Sequence, residues 1–170
     1  RILVERPLYE RFREAFVERV KALRVGDPAD PGSDLGAVGS GPHMEKGLSY
    51  ITLAREEGGT VLCGGERVRL AGDLADGWYI APTVIEGLGP ACRTNQEEIF
   101  GPVVTIAPFD TEEEALSVAN GTPYGLASVL WTNDLKRAHR MAHRLESGIV
   151  WVNCWMVRDL RTPFGGMKQS

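Results

Sequence analysis

The sequence is short of most features that would make a function easy to assign. No apolar run approaches the roughly 20 residues that a membrane-spanning helix needs; the longest, Gly148 to Val157, is interrupted by Asn153. Positive charge is not in excess. With 19 Lys and Arg against 23 Asp and Glu, the formal net charge is −4, so no surplus exists to neutralise nucleic-acid phosphates or to hold an anionic bilayer. Cysteine is scarce: Cys63, Cys92 and Cys154 form an odd set with no CxxC pair, which fits reduced thiols in a cytoplasmic compartment rather than a disulfide framework. His139 and His143 stand four apart on a helical pattern, but the glutamate of His-Glu-x-x-His is missing and Arg140 takes its place, so a solvated helix face is expected and no metal. The string Gly36, Gly39, Gly41 has the wrong order for a dinucleotide fingerprint and no strand before it.

What is present is ordinary for a globular chain. Hydrophobic residues make up 43% and charged residues 25% of 170 residues, enough for one domain with a sizeable core. The chain opens on Arg1-Ile2-Leu3-Val4, a strand-like run with no initiator methionine or leader pattern, as expected of a piece of a longer protein. Pro7 suits a first helical turn, and Leu8, Phe12, Phe16, Val20 and Leu23 recur at spacings of four and three, predicting an amphipathic helix. A second follows from about Pro42, with Met44, Leu48, Ile51 and Ala54 on one face and Gly58-Gly59 as its stop. Thr60 to Cys63 reads as a short strand, and Tyr79 to Ile85 as another that Pro82 marks as an edge or a bulge.

Further on, Val103 to Phe109 reads as a buried strand, and Thr111 and Glu114 have capping-box spacing for a helix to about Asn120. Then come a strand over Ala127 to Trp131, a helix over Leu135 to Leu145 with Gly148 as its stop, and a strand over Ile149 to Asn153. This rhythm predicts an α/β fold: a mostly parallel twisted sheet flanked by helices.

Three stretches invite chemistry. Glu97-Glu98-Ile99-Phe100 precedes a Gly-Pro turn at the mouth of the strand beginning at Val103, where an open α/β sheet commonly contacts its ligand. A carboxylate there can accept two hydroxyl hydrogen bonds from a ribose while an aromatic packs a flat ring. The same residues also describe a solvated acidic turn beside a core phenylalanine, and the tetrapeptide does not separate the two. In the second stretch, Trp151 to Gly166, the residues Trp151, Trp155, Arg158, Arg161 and Phe164 could wall an apolar cleft with a few polar anchors. An arginine fork beside aromatics points to a carboxylate-bearing substrate; pairing with Asp159 or another surface acid is the alternative for each arginine. The third is the cysteines, none of which shows a partner base, so Cys63 and Cys154 read as core or wall residues.

The order of motifs is more specific than any one of them. Gly64-Gly65, Gly77-Trp78-Tyr79, Ala81-Pro82-Thr83-Val84, Glu97-Glu98-Ile99-Phe100-Gly101-Pro102-Val103, Tyr124-Gly125-Leu126-Ala127, Gly148 to Asn153 and Pro163-Phe164-Gly165-Gly166-Met167-Lys168-Gln169-Ser170 together resemble the catalytic domain of the NAD(P)-dependent aldehyde dehydrogenases, over essentially the whole chain. The resemblance implies a three-layer sandwich, NAD as cofactor with NADP not excluded, and a homo-oligomeric enzyme. It implies that Glu98 holds the nicotinamide ribose, with Phe100 on the nicotinamide side, and that Phe164 lines the aldehyde tunnel. In such enzymes a cysteine thiolate attacks the aldehyde, hydride leaves to the cofactor, and a glutamate-activated water releases the acid.

By the resemblance, the matching cysteine, glutamate, oxyanion amide and cofactor-binding domain are expected upstream of Arg1, and the oligomerisation strand after Ser170. No residue in 1–170 is therefore expected to be catalytic, and the piece alone is expected to be inactive. Cys63, Cys92 and Cys154 do not occupy the nucleophile's position. The wording Asn153-Cys154-Trp155-Met156-Val157-Arg158-Asp159-Leu160 is similar to the branch acting on muconic semialdehydes, whose carboxylate Arg158 would grip beside Trp155. Two other readings stand beside it: a non-catalytic binding or association module of the same fold, and a metal hydrolase built on His139 and His143.

Overall fold

The computed structural model describes residues 1–170, which fall into two units, Arg1–Pro108 and Phe109–Ser170. The first unit is built on a mixed sheet. Its strands are β1 (Ile2–Glu5), β2 (Thr60–Cys63), β3 (Arg67–Val68), β4 (Tyr79–Ile80), β5 (Thr83–Glu86) and β6 (Val103–Phe109). Four of them line up in the order β1-β6-β5-β2, with β5 and β6 parallel and β2 antiparallel to β5.

The stretch Tyr79 to Ile85 is not one strand but two. Pro82 has no N–H to donate, and the chain breaks there: β4 pairs with β3, while β5 enters the main sheet. Far from being an edge, β5 lies between β6 and β2, and Val84 and Ile85 are sealed from solvent. The Thr83 hydroxyl, also buried, accepts from Gly65 N at 2.9 Å and donates to Ala81 O at 2.7 Å, which ties the break to the Gly64-Gly65 turn.

Helix α1 (Arg6–Lys21) starts with Pro7 in its first turn, as expected, but it is rotated relative to the expected stripe. Val20 is buried and Phe16 half-buried, whereas Leu8, Phe12 and Leu23 face outward. Tyr9 goes inward instead, because its hydroxyl finds Glu86 on β5 at 2.8 Å while its ring joins Val4, Val84 and Ile106. Burial and that hydrogen bond push the Tyr9 phenol up to about 12.

Helix α2 (Gly41–Glu56) buries Met44, Gly47, Ile51 and Ala54, with Leu48 packed beside them. Ser40 caps it by accepting from His43 N at 3.2 Å, and Gly58, at φ 89°, ends it. The short helix α3 (Arg93–Gln96) was not legible in the sequence.

The second unit contains α4 (Glu112–Asn120), β7 (Tyr124–Gly125), β8 (Ala127–Leu130), α5 (Leu135–Arg144), β9 (Ile149–Val152) and β10 (Met167–Lys168). Strands β8 and β9 are parallel and joined through α5, the expected strand-helix-strand unit. Strand β6, however, belongs to the other sheet, so the predicted rhythm spans two sheets. Thr111 accepts from Glu114 N at 3.1 Å; in return the Glu114 carboxylate accepts from Asp110 N, one residue earlier than in a regular capping box.

Asp134 caps α5, and Ala115, Leu116 and Met141 form the core of this unit. Helix α5 ends at Arg144, before Gly148. The requirement at Gly148 is steric: a Cβ there would overlap the Gly165 carbonyl, so the glycine-rich tail passes directly over it. No helix is long and apolar enough to cross a membrane.

Candidate functional site

The first unit presents Glu98 and Phe100 on a loop fastened from one side by α2. His43, Lys46 and Tyr50 lie three and four residues apart, hence on one face of that helix. Lys46 Nζ donates to Glu98 O at 2.7 Å, the His43 ring nitrogen Nε2 bonds Phe100 O, and the Tyr50 hydroxyl donates to the Glu97 carboxylate. Arg93 of α3 adds a fork to the same carboxylate, Nε at 2.6 Å and an amino nitrogen at 2.9 Å. These bonds hold Glu97 well below the usual carboxylate range, at about 2, with Arg93 the larger cause and Tyr50 the next.

The other end of α3 is tied to α2 as well. Glu57, just past the end of α2, accepts from Arg93 N at 2.7 Å and from the Thr94 hydroxyl at 2.7 Å. Between the ties, Ile99 is buried and acts as the loop's apolar anchor. Phe100 is held in the left-handed region at φ 59° with 70% of its surface exposed, so it is not a core phenylalanine. A non-glycine residue in that region costs about 1–3 kcal/mol and persists only where its surroundings over-determine it.

The hydrogen bonds that hold residues 98 and 100 engage their backbone carbonyls, and the Phe100 ring also meets the His43 ring, tilted, at 5.8 Å between centroids. The Glu98 carboxylate itself makes no hydrogen bond or ion pair within the chain. An unspent carboxylate and an exposed ring, two residues apart on a pinned loop, fit a sugar's hydroxyl pair and a flat heterocycle. Glu98 and Phe100 were marked in the sequence, whereas His43, Lys46, Tyr50 and Arg93 were not. Their signal was the polar face of α2, which an eye on the apolar positions passes over.

In the second unit the chain leaves β9 at Asn153, at φ 54°, whose side chain clamps Thr132 in both directions: Thr132 N donates to Oδ1 at 2.9 Å, and Nδ2 donates to Thr132 O at 2.8 Å. Trp151 is buried and donates from Nε1 to Val157 O at 2.8 Å, and Trp155 meets it edge-on at 5.3 Å. Trp151 is therefore the support of the wall, and Trp155, 64% exposed, is its surface.

The two arginines separate clearly. Arg161 is spent on Asp159 through a two-pronged pair, its closest contact 2.6 Å, and each partner stabilises the other's charge. Arg158 pairs with no carboxylate; its guanidinium lies over the Phe164 ring, 4.5 Å from the centroid. Stacking leaves the edge N–H groups of a guanidinium available to an incoming oxyanion. Arg158, Phe164 and Trp155 thus lie on one loop, with Arg158 and Phe164 in direct contact.

The three cysteines are free thiols, each partly buried. Burial pushes the Cys63 thiol up, against nucleophilic use. His139 and His143 lie exposed on α5 beside Arg140, which is paired with Glu112 at 2.7 Å. No group of three or more His, Cys, Asp or Glu side chains is arranged to hold a metal ion.

Comparison with known proteins adds an independent line. A family model described as aldehyde dehydrogenase family matches residues 1–170. The chain is 48% identical to 2-aminomuconic 6-semialdehyde dehydrogenase of a Pseudomonas species over 170 residues, covering all of this chain and 35% of that protein. It is 49% identical to acetaldehyde dehydrogenase 2 of Cupriavidus necator, of which it covers 33%. Among solved structures, a betaine aldehyde dehydrogenase from Staphylococcus aureus in complex with NAD+ superposes with a TM-score of 0.93 at 39% identity, over 99% of this chain and 34% of that one. The chain therefore spans about a third of the length of the relatives it matches.

Proposed function

Because the chain belongs to the aldehyde dehydrogenase family, we propose that it forms the cofactor-contacting and substrate-lining part of the catalytic domain of an enzyme that oxidises a carboxylate-bearing, muconic-type semialdehyde with NAD. The nucleophilic cysteine and the general-base glutamate come from outside residues 1–170. Identity alone does not choose the aldehyde, since an aminomuconic enzyme and an acetaldehyde enzyme match almost equally well. The loop from Asn153 to Phe164 supports the acidic one.

The observation that carries the reading is the state of Arg158: stacked on Phe164 at 4.5 Å and paired with no acid, while the neighbouring Arg161 is taken by Asp159. In this role Arg158 donates N–H groups to the substrate carboxylate, and Phe164 and Trp155 flank the carbon chain. Glu98 accepts hydrogen bonds from the nicotinamide ribose hydroxyls, and Phe100 limits where the ring can sit. When bound, the cofactor accepts the hydride that leaves the aldehyde carbon. Free thiols and an acidic balance suit a cytoplasmic enzyme without nucleic-acid or membrane partners, and the family resemblance suits assembly as a homo-oligomer.

The test is made in the whole enzyme. Arg158→Ala raises KM for an acidic semialdehyde about 10- to 100-fold, the range for losing a hydrogen-bonded charge pair, and changes KM for an uncharged aldehyde of equal length by less than about threefold. Equal effects on both aldehydes would remove Arg158 from the substrate site.

A further inference from the structure

We propose that Tyr50, Arg93 and Glu97 are positioning residues for the cofactor, a brace that sets the one backbone geometry in which Glu98 and Phe100 face the nicotinamide end. The proposal rests on the reading of Glu98 as the ribose-binding carboxylate.

Four observations carry it. Helix α3 spans only Arg93–Gln96, far too short to hold its shape alone, so whatever fixes its ends fixes the loop that follows. Its start is tied to α2 through Glu57, and the residue that ends it, Glu97, is tied to α2 through Tyr50. Glu97 is adjacent to Glu98, so a rotation about the intervening bonds moves the unspent carboxylate directly. Finally, Phe100 is held at φ 59°, a conformation that the surroundings must impose.

Within the brace the members differ. Arg93 and Glu97 stand four apart on the same short helix, and an exposed pair of that kind contributes little by itself. Tyr50 is the cross-link: its hydroxyl connects that pair to α2, which is anchored in the core through Met44, Ile51 and Ala54. Without it Glu97 and Arg93 still bond each other and the Lys46, His43 and Glu57 bonds remain, but the Glu97 side chain, next to Glu98, is no longer registered against α2.

The experiment uses the whole enzyme, with the Kd for NAD read directly by calorimetric titration, alongside steady-state kinetics with both substrates varied. Tyr50→Phe raises that Kd about tenfold, and an unchanged Kd overturns the proposal. Tyr50→Phe raises KM for NAD about tenfold, the fold-change expected for losing a hydrogen bond to a charged group, while KM for the aldehyde at saturating NAD stays within about twofold. Inhibition by ADP, which carries the adenine half and no nicotinamide ribose, stays within about twofold of wild type. A general loosening of the fold would weaken ADP as well, and that result overturns the proposal.

Two further variants separate this proposal from the reading beneath it. Glu98→Gln raises KM for NAD by itself, and adding Tyr50→Phe to it raises KM little further, because the tyrosine acts through position 98. If Glu98→Gln changes KM and Tyr50→Phe does not, the brace is discarded and Glu98 keeps its role. If Glu98→Gln is silent, both fall.

Discussion

The loops that carry the candidate residues of the two units are held in opposite ways. Residues 97–101, in the first unit, are fastened through backbone carbonyls and a braced neighbour by side chains from α2 and from Arg93, which leaves the Glu98 carboxylate unspent and the Phe100 ring exposed beside His43. Residues 153–164, in the second unit, are tied down mainly at their root, by the Asn153–Thr132 clamp and the Trp151–Val157 bond, and the rest of the loop binds mostly to itself. Leu160, 87% exposed, marks how little covers the far end. A loop that must meet one invariant cofactor gains from being over-determined, because ordering entropy is removed before binding. A loop that chooses among aldehydes can change its side chains without disturbing the scaffold beneath it.

The contrast extends to the cores, and there it can be broken most directly. Ile85 is 0% exposed at the centre of the four-stranded sheet, so Ile85→Ala is expected to cost about 3–5 kcal/mol. Met141, in the smaller core of the second unit, is flexible and packs against fewer layers; Met141→Ala is expected to cost about 2–3 kcal/mol. Urea unfolding of the whole enzyme reads both, and a larger loss at Met141 would invert the ranking of the two units.

Acid gives a smaller effect and treats the two units alike. Glu97 in one and Glu112 in the other are each drawn down to about 2, chiefly by hydrogen bonds from Arg93 and from Arg140 respectively. A carboxyl group whose folded value lies below the roughly 4.3 of an unfolded glutamate adds stability that is complete above that value and is lost as pH falls toward 2. Both contributions are therefore constant between pH 6 and 8 and fade below about pH 4.5. Glu112→Gln and Glu97→Gln each reduce the slope of unfolding midpoint against pH in that acid window and leave the slope near neutrality unchanged. A changed slope at pH 7 would mean that another group titrates there.

The smallest expected effect sharpens the distinction within the substrate loop. Arg161 already spends its fork on Asp159, and an exposed pair of this sort is worth at most about 1 kcal/mol, so Arg161→Ala changes KM for an acidic semialdehyde by less than about threefold. An effect matching that of Arg158→Ala would show that the two arginines share the substrate.

Much of the fold was legible because it is written in local periodicity. Met44, Ile51 and Ala54 at helical spacing, the β-branched run at Val103 and the Thr111 cap each bias the backbone before any tertiary contact forms. The misses have one cause. On α1 the pattern offered Leu8 and Phe12, yet Tyr9 turned inward to reach Glu86, 77 residues away. At Pro82 the missing N–H was read as an edge or a bulge, whereas the chain used the break to step from a small sheet into the centre of a larger one. Among the candidate residues, 98, 100 and 164 were marked by the resemblance and 158 by guanidinium chemistry as well, while Lys46, Tyr50 and Arg93 could be found only where α2 and α3 meet.

By itself, the order of residues determined most of the strands and helices, though not α3 or the break at Pro82, and the family to which the chain belongs, because these depend on side-chain types at short separations along the chain. Only the tertiary structure decided which arginine is spent on an acid and which is left open, which face of α1 is buried, and what holds the loop around Glu98. Each of these is a choice of partner, and hydrogen bonds and ion pairs select partners by distance in space, which the chain sets only once it has folded.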